Sequence, residues 1–244
     1  MVKSQESREL YGSGILILMN EEERIKYDAE IYARENKKRL AREKTSKEIF
    51  PPEDNPVSVF MAGSPGAGKT EASKNLLKRF SKENSSVIRI DPDELRECFK
   101  EYIGSYSSLF QSAVSIIAEC ILDCATENKQ SFIFDSTLTN LEKSKSNISR
   151  SIKRKRFVQI LYIYQDPLQA WEFVKDREVL EGRNIPKDRF IDQYFIAREN
   201  VNILKKEYGR EIQVDLIVKN IDGTDQLYQE NIDNIDNYIK EIYT

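Results

Sequence analysis

Gly63, Gly68, Lys69 and Thr70 stand at the spacing G-x-x-x-x-G-K-[ST] within the stretch FMAGSPGAGKTEAS, residues 60–73. Those residue types at that spacing hold phosphate. Glycines let the backbone curl until successive N–H groups point inward at phosphate oxygens, so Gly63, Ser64, Pro65, Gly66, Ala67 and Gly68 make the expected cradle. A helix that starts at the loop adds its dipole. Lys69 can bridge the β- and γ-phosphates, and Thr70 offers a hydroxyl to Mg²⁺. The loop predicts a nucleotide site. It leaves open which molecule accepts the phosphoryl group.

Transfer to an acceptor needs carboxylates and further positive charge. Asp91 and Asp93 follow the stretch SVIRI, and Asp135, Ser136 and Thr137 end SFIFDST. A carboxylate near the γ-phosphate can deprotonate an acceptor hydroxyl or hold Mg²⁺ through water. Two readings stand for Asp91, a helix cap before Pro92 or an acid of the site. Asp93 is either a solvated first-turn acid favoured by the helix dipole or the catalytic base. Asp135 ends an apolar strand, where a second Mg²⁺-linked acid is expected. Arg177 and Arg183 lie in KDREVLEGRNIPKDR, with Gly182 and Pro186 shaping the turn between them and the next helix. They read as a lid that brings planar guanidinium forks over the phosphates, or as a charged helix end making surface ion pairs.

These residues need elements to position them. Short apolar stretches at 57–62, 86–90, 131–137, 157–165 and 212–220 read as strands, and amphipathic stretches between them as helices. Alternation of this kind predicts an α/β fold with a mostly parallel five-stranded sheet covered on both faces. Ligands in such folds bind beyond the carboxyl ends of the strands, where the loop and the acids fall. A final helix is expected around 225–242. Residues 20–48 carry a thin apolar stripe and charge pairs at helical spacing. They predict a helical arm over residues 1–50, either leaning on the domain or facing a partner, ahead of a domain at 51–244. Phe50 to Pro56 breaks the chain between the two. Met19 opens a segment that reads as a natural beginning, so residues 1–18 are expected to be an extension.

The 244 residues suffice for one such domain with appended structure. The net charge of −3 gives no support for nucleic-acid binding, which usually shows a basic domain. No apolar run approaches the ~20 residues that span a bilayer. Three cysteines and no histidine argue against a zinc site and fit a reducing, cytoplasmic setting. Cys120 and Cys124 read as core residues.

The ordered set GSPGAGKT, DPDEL, AEC in a helix, FIFDST and GRNIP resembles the zeta-toxin family of phosphoryltransferases over roughly residues 55–220. The resemblance implies a P-loop kinase core that uses ATP or GTP with Mg²⁺ to phosphorylate UDP-N-acetylglucosamine on a sugar hydroxyl, which blocks peptidoglycan synthesis. It implies Asp93 as catalytic base, Glu119 and Thr137 as substrate contacts, and Arg177 and Arg183 as clamps on the transferring phosphate. Aligning Arg177 takes a one-residue shift. Glu119 lies among apolar helix residues, where a carboxylate without a partner is costly, and a sugar hydroxyl or amide would be one. Asp135-Ser136 departs from the Glu-Gly the family commonly has. A small helical antitoxin that blocks the nucleotide site is the implied partner. Two rivals stand beside this reading, a kinase for another acceptor and a non-catalytic nucleotide-binding module.

Overall fold

A computed structural model describes residues 19–83, 85–182 and 184–239. The expected extension at 1–18 and Arg183, the second expected clamp, lie outside the described residues. Six strands form one sheet in the order β2-β3-β1-β4-β5-β6. They are β1 (Val57–Ala62), β2 (Ile88–Ile90), β3 (Phe132–Phe134), β4 (Phe157–Tyr164), β5 (Gln213–Lys219) and β6 (Asp225–Gln229). The first five in that order run parallel. The helices are α1 (Glu21–Lys44), α2 (Lys69–Lys82), α3 (Gln111–Glu127), α4 (Leu141–Lys153), α5 (Pro167–Glu181) and α6 (Lys187–Tyr208).

The central strands are apolar at nearly every position because both sheet faces are covered. Phe60, Phe132, Phe134, Ile160 and Tyr162 enter one core with α1, α3 and α6. The alternate residues Val59, Met61, Ile133, Leu161 and Ile163 enter the other, with Leu76, Leu77 and Phe80 of α2 packed against them. This period of two is what a strand buried between two layers must show. Helix α1 starts at a capping box between Asn20 and Glu23. It buries Ala29, Ala33, Leu40 and Ala41 in the core that holds α3, and Tyr32 meets Phe99 edge-on at 5.4 Å.

The carboxyl-terminal region corrects the five-stranded sheet and the expected helix at 225–242. Residues 225–229 form β6, antiparallel to β5. Asp222 accepts hydrogen bonds from the Thr224 backbone N–H and hydroxyl, and Gly223 takes φ +83°, which makes a tight hairpin turn. Asp215 of β5 is fully buried and accepts from the Tyr228 hydroxyl at 2.7 Å and the Asn231 N–H at 2.8 Å. It thereby binds the added strand to the sheet. Ile232, Ile235 and Ile239 have helical spacing but are buried from an irregular segment with a single 3-10 turn at Ile235–Asn237.

Candidate active site

The phosphate loop joins β1 to α2 beside β4 and α5. Gly63 has φ +133°, and a Cβ there would lie 2.3 Å from the Ile163 carbonyl oxygen of β4. Gly66 has φ +74°, and its Cβ would lie 2.1 Å from the Ala170 carbonyl oxygen of α5. Only glycine fits either position, on backbone conformation and on space. Gly68 caps α2 in the left-handed conformation. Lys69 folds back over the loop, its Nζ donating to the carbonyls of Gly63 at 3.0 Å and Ser64 at 2.6 Å. Ser64 and Ala67 are buried, and Pro65 and Thr70 are half-buried. Thr70 lies in the first turn of α2, and its carbonyl accepts from the Ser73 hydroxyl at 3.0 Å.

Ser73 connects the loop helix to the acids. Its Oγ lies 3.1 Å from Asp135 Oδ2 and accepts from Arg89 Nε at 2.9 Å. Arg89 Nη2 donates to Asp135 Oδ2 at 2.9 Å and also to Asp91, while Nη1 pairs with Glu94. Arg89, Asp91 and Asp135 are each less than one-tenth exposed. Burial pushes the Asp91 carboxyl up to about 6, the charge of Asp135 adds to the rise, and Arg89 opposes it. Asp91 also accepts from the Asp93 backbone N–H at 2.8 Å and, through its carbonyl, from Leu95. Asp91 thus braces the backbone just before the 3-10 turn at Glu94–Cys98, whose N-cap is Asp93, and stands in a buried cluster with Arg89 and Asp135.

Asp93 is the more exposed acid, with 34% of its side chain open. Arg96, one turn further on, donates to Asp93 through Nη1 and to Gln111 through Nη2 at 2.8 Å. Arg177 of α5 brings Nη2 to 3.8 Å from the other Asp93 oxygen and to 3.2 Å from Glu181. Arg177 makes the expected helix-end ion pair and also reaches towards Asp93.

Glu119 is placed differently. It projects from α3 onto α4, within 3.2 Å of Lys143 and Asn147 and 2.6 Å of Arg150. Burial would raise its carboxyl, but these cations and donors outweigh it and hold the group below its ordinary value. None of its partners belongs to the acid cluster. Thr137 bonds to Thr139 at 3.0 Å in the loop after β3, and Ser136 to the Met61 carbonyl at 3.3 Å. The fold thus gathers the loop, Asp91, Asp93, Asp135 and Arg177 at the carboxyl ends of the parallel strands. Arg89 and Arg96 escaped the sequence reading. Arg89 had a signal, since a lone arginine between Ile88 and Ile90 in an apolar strand demands a buried partner.

A parallel sheet in this order, with a phosphate loop after β1 and acids at the ends of the two strands beyond it, defines a P-loop kinase-like fold. The zeta toxin family model matches residues 40–233, and the chain belongs to that family. Solved structures agree at the level of fold. A chain of the PezAT chromosomal toxin–antitoxin system of Streptococcus pneumoniae superimposes with a TM-score of 0.60 at 15% identity, over 80% of this chain and 79% of that one. A chain of the AvrRxo1-ORF1:-ORF2 complex gives 0.59 at 16%, over 90% and 72%. The same pair solved with ATP gives 0.57 at 16%, over 83% and 65%. Among the described residues no helix is long and apolar enough to cross a membrane.

Proposed function

We propose that the protein is a cytoplasmic kinase of the zeta-toxin type, which transfers the γ-phosphoryl group of ATP or GTP to a sugar hydroxyl of UDP-N-acetylglucosamine and so arrests peptidoglycan synthesis. The observation that carries the reading is Asp93 in the turn after β2, backed by Arg96 and facing Arg177 at 3.8 Å. A base and a phosphate-directed arginine meet there.

Asp93 takes the proton of the acceptor hydroxyl as its oxygen bonds to the γ-phosphorus, and the bond from that phosphorus to the β-phosphate oxygen breaks. The nucleoside diphosphate leaves with the electron pair. Lys69 moves from the carbonyls of Gly63 and Ser64 to the β- and γ-phosphates. Arg177 and Arg183 neutralise the transferring group. The residues present also fit Mg²⁺, because Thr70 opens α2 and Asp135 is tied to the same helix through Ser73. The ion, when bound, would supply charge neutralisation to the nucleotide phosphates. Thr70 would be its direct ligand, and Asp135 would hold it through water. Glu119 and Thr137 would seat the sugar nucleotide. The solved relatives include a toxin–antitoxin system and a complex with ATP. They support a nucleotide co-substrate and an antitoxin partner, for which the arm at 1–50 is a docking candidate.

One observation favours a different acceptor. Glu119 is already engaged by Lys143, Asn147 and Arg150, so a sugar must compete with those partners. The test is incubation with Mg²⁺-ATP and UDP-N-acetylglucosamine, read by mass spectrometry. The expected product is heavier by one phosphoryl group and is absent with Lys69→Ala and Asp93→Asn. Transfer to another nucleotide sugar alone would establish the second reading. Nucleotide binding without transfer to any acceptor would refute both.

A further inference from the structure

Arg89 has the least ordinary surroundings of any charged side chain at the site. It stands in the middle of β2, 8% exposed, where an unpaired cation would be heavily penalised. All three guanidinium nitrogens have acceptors: Nε has Ser73, Nη1 has Glu94, and Nη2 has both Asp91 and Asp135. A single nitrogen therefore stands between two buried carboxylates that end neighbouring strands, held in register by the pairing of Ile90 with Phe134. Without it, two like charges would face each other in a place from which water is largely removed. A divalent cation satisfies such a pair well, through oxygen ligands. Among the described residues no group of three or more His, Cys, Asp or Glu side chains is arranged to hold a metal ion.

We infer that Arg89 is a positioning residue that acts as a built-in counter-cation. It holds the Asp91–Asp135 pair together and excludes a divalent ion from it, so that the metal enters only with the nucleotide phosphates. Both contacts to Asp135 fall on Oδ2, which leaves Oδ1 outside the Arg89 and Ser73 contacts as the oxygen for a metal-bound water. The contact to Asp91 fixes the turn that presents Asp93, since Asp91 accepts from the Asp93 N–H. The inference rests on the kinase reading for its purpose, but its physical content concerns the protein without nucleotide.

The experiment is a titration of nucleotide-free protein with Mn²⁺, followed by the electron paramagnetic resonance of the free ion. Arg89→Gln should bind Mn²⁺ about tenfold or more tightly than the unaltered protein, because a unit charge next to the acid pair has been removed. In Arg89→Gln with Asp135→Asn the gain should vanish. A folded Arg89→Gln protein with unchanged Mn²⁺ affinity, whatever its melting temperature, overturns the inference and leaves Arg89 a structural residue. A second measurement does not depend on that variant folding. The unaltered protein and Asp135→Asn should bind nucleotide-free Mn²⁺ equally weakly. A site in the unaltered protein that Asp135→Asn abolishes shows that Arg89 excludes nothing, and also overturns it. No nucleotide or acceptor is present in either titration. Failure of the kinase reading would therefore appear as missing transfer to any acceptor, with or without ATP binding, and these titrations would be unaffected.

Discussion

Gly104 offers the sharpest test of how the proposed lid arginine, Arg177, is placed. It opens the 3-10 turn Gly104–Tyr106, in the loop between the acid-bearing turn and α3. Its φ is not in the left-handed region, so alanine is permitted by the backbone. The obstacle is space. A Cβ would lie 2.0 Å from the Glu181 carbonyl oxygen and 3.1 Å from the Gly182 carbonyl carbon, at the end of α5. Ordinary contact needs the first of these to open by about 1.4 Å. Both atoms in the clash are backbone, or bonded directly to it, so no side chain can swing away. The end of α5 must move, and Arg177 lies one turn before it, its Nη2 bonded to Glu181 and 3.8 Å from Asp93. A displacement of ~1 Å at a catalytic group can cost on the order of 10²-fold in rate. Gly104→Ala should therefore lower kcat roughly 10- to 100-fold. Nucleotide affinity should stay within about twofold, since the atoms nearest the added Cβ belong to the end of α5 and not to the phosphate loop. The assay is transfer kinetics beside nucleotide titration. Hydrogen exchange at the Gly182 amide, which donates to Glu178 at 2.9 Å, reports the movement directly. A folded variant with kcat within about threefold of the unaltered protein would refute the reasoning. Gly223→Ala is the control: nothing lies within 4 Å, so its φ of +83° should cost about 1 kcal/mol of stability and leave kcat alone.

Three further outcomes follow from the same geometry. Gly66→Ala should abolish nucleotide binding in a titration while the fold persists by circular dichroism, because its Cβ meets the Ala170 carbonyl at 2.1 Å with φ at +74°. Glu119→Gln removes a half-buried link between α3 and α4 and should cost about 1–2 kcal/mol, a fall in Tm of a few degrees. The carboxyl of Glu119 is lowered in the fold, so this stability is present above its unfolded value and lost as pH falls through the folded one; thermal melts of both proteins should converge in acid. Asp91 has the opposite sign. Its carboxyl is raised to about 6, so the folded state gains stability below that pH and loses the gain as pH rises through it. Denaturant unfolding at pH 5 and pH 7 should show ~1 kcal/mol more acid stabilisation in the unaltered protein than in Asp91→Asn. Equal pH responses would exclude Asp91 as the titrating group.

The parallel core was legible because its cause is local. Five apolar stretches separated by helical ones leave few arrangements, and the phosphate loop marks the first strand. The short strands are tighter than their apolar stretches, Ile88–Ile90 within 86–90 and Phe132–Phe134 within 131–137. Pairing with a neighbour decides where a strand ends, and the partner is distant in sequence. The missed strand has the same origin. Residues 225–229 are largely exposed and carry no apolar alternation. They become a strand through Asp215, ten residues earlier, and through the Asp222–Gly223 turn. Glu119 shows the limit for sites. Its apolar neighbours implied a missing partner, but the partners are Lys143, Asn147 and Arg150, a full helix away.

The stretch RIDPDELR shows how the fold divides labour between acids that look alike in sequence. Two aspartates two residues apart are bracketed by two arginines, and each arginine takes one of them. Arg89 reaches down into the sheet and takes Asp91, whose side chain is 6% exposed. Arg96 lies 4% exposed beneath the turn and takes Asp93, whose side chain is 34% exposed. A base must meet an acceptor that arrives from solvent, so the open acid suits proton transfer and the closed one suits support. The buried Nε of Arg96 has no hydrogen-bond partner among the described residues, a cost borne on the side away from Asp93 contacts made by Nη1. The chemistry proposed for Asp93 thus depends on exposure and on two neighbouring guanidinium groups. Motif spacing, which treats Asp91 and Asp93 almost alike, does not distinguish them.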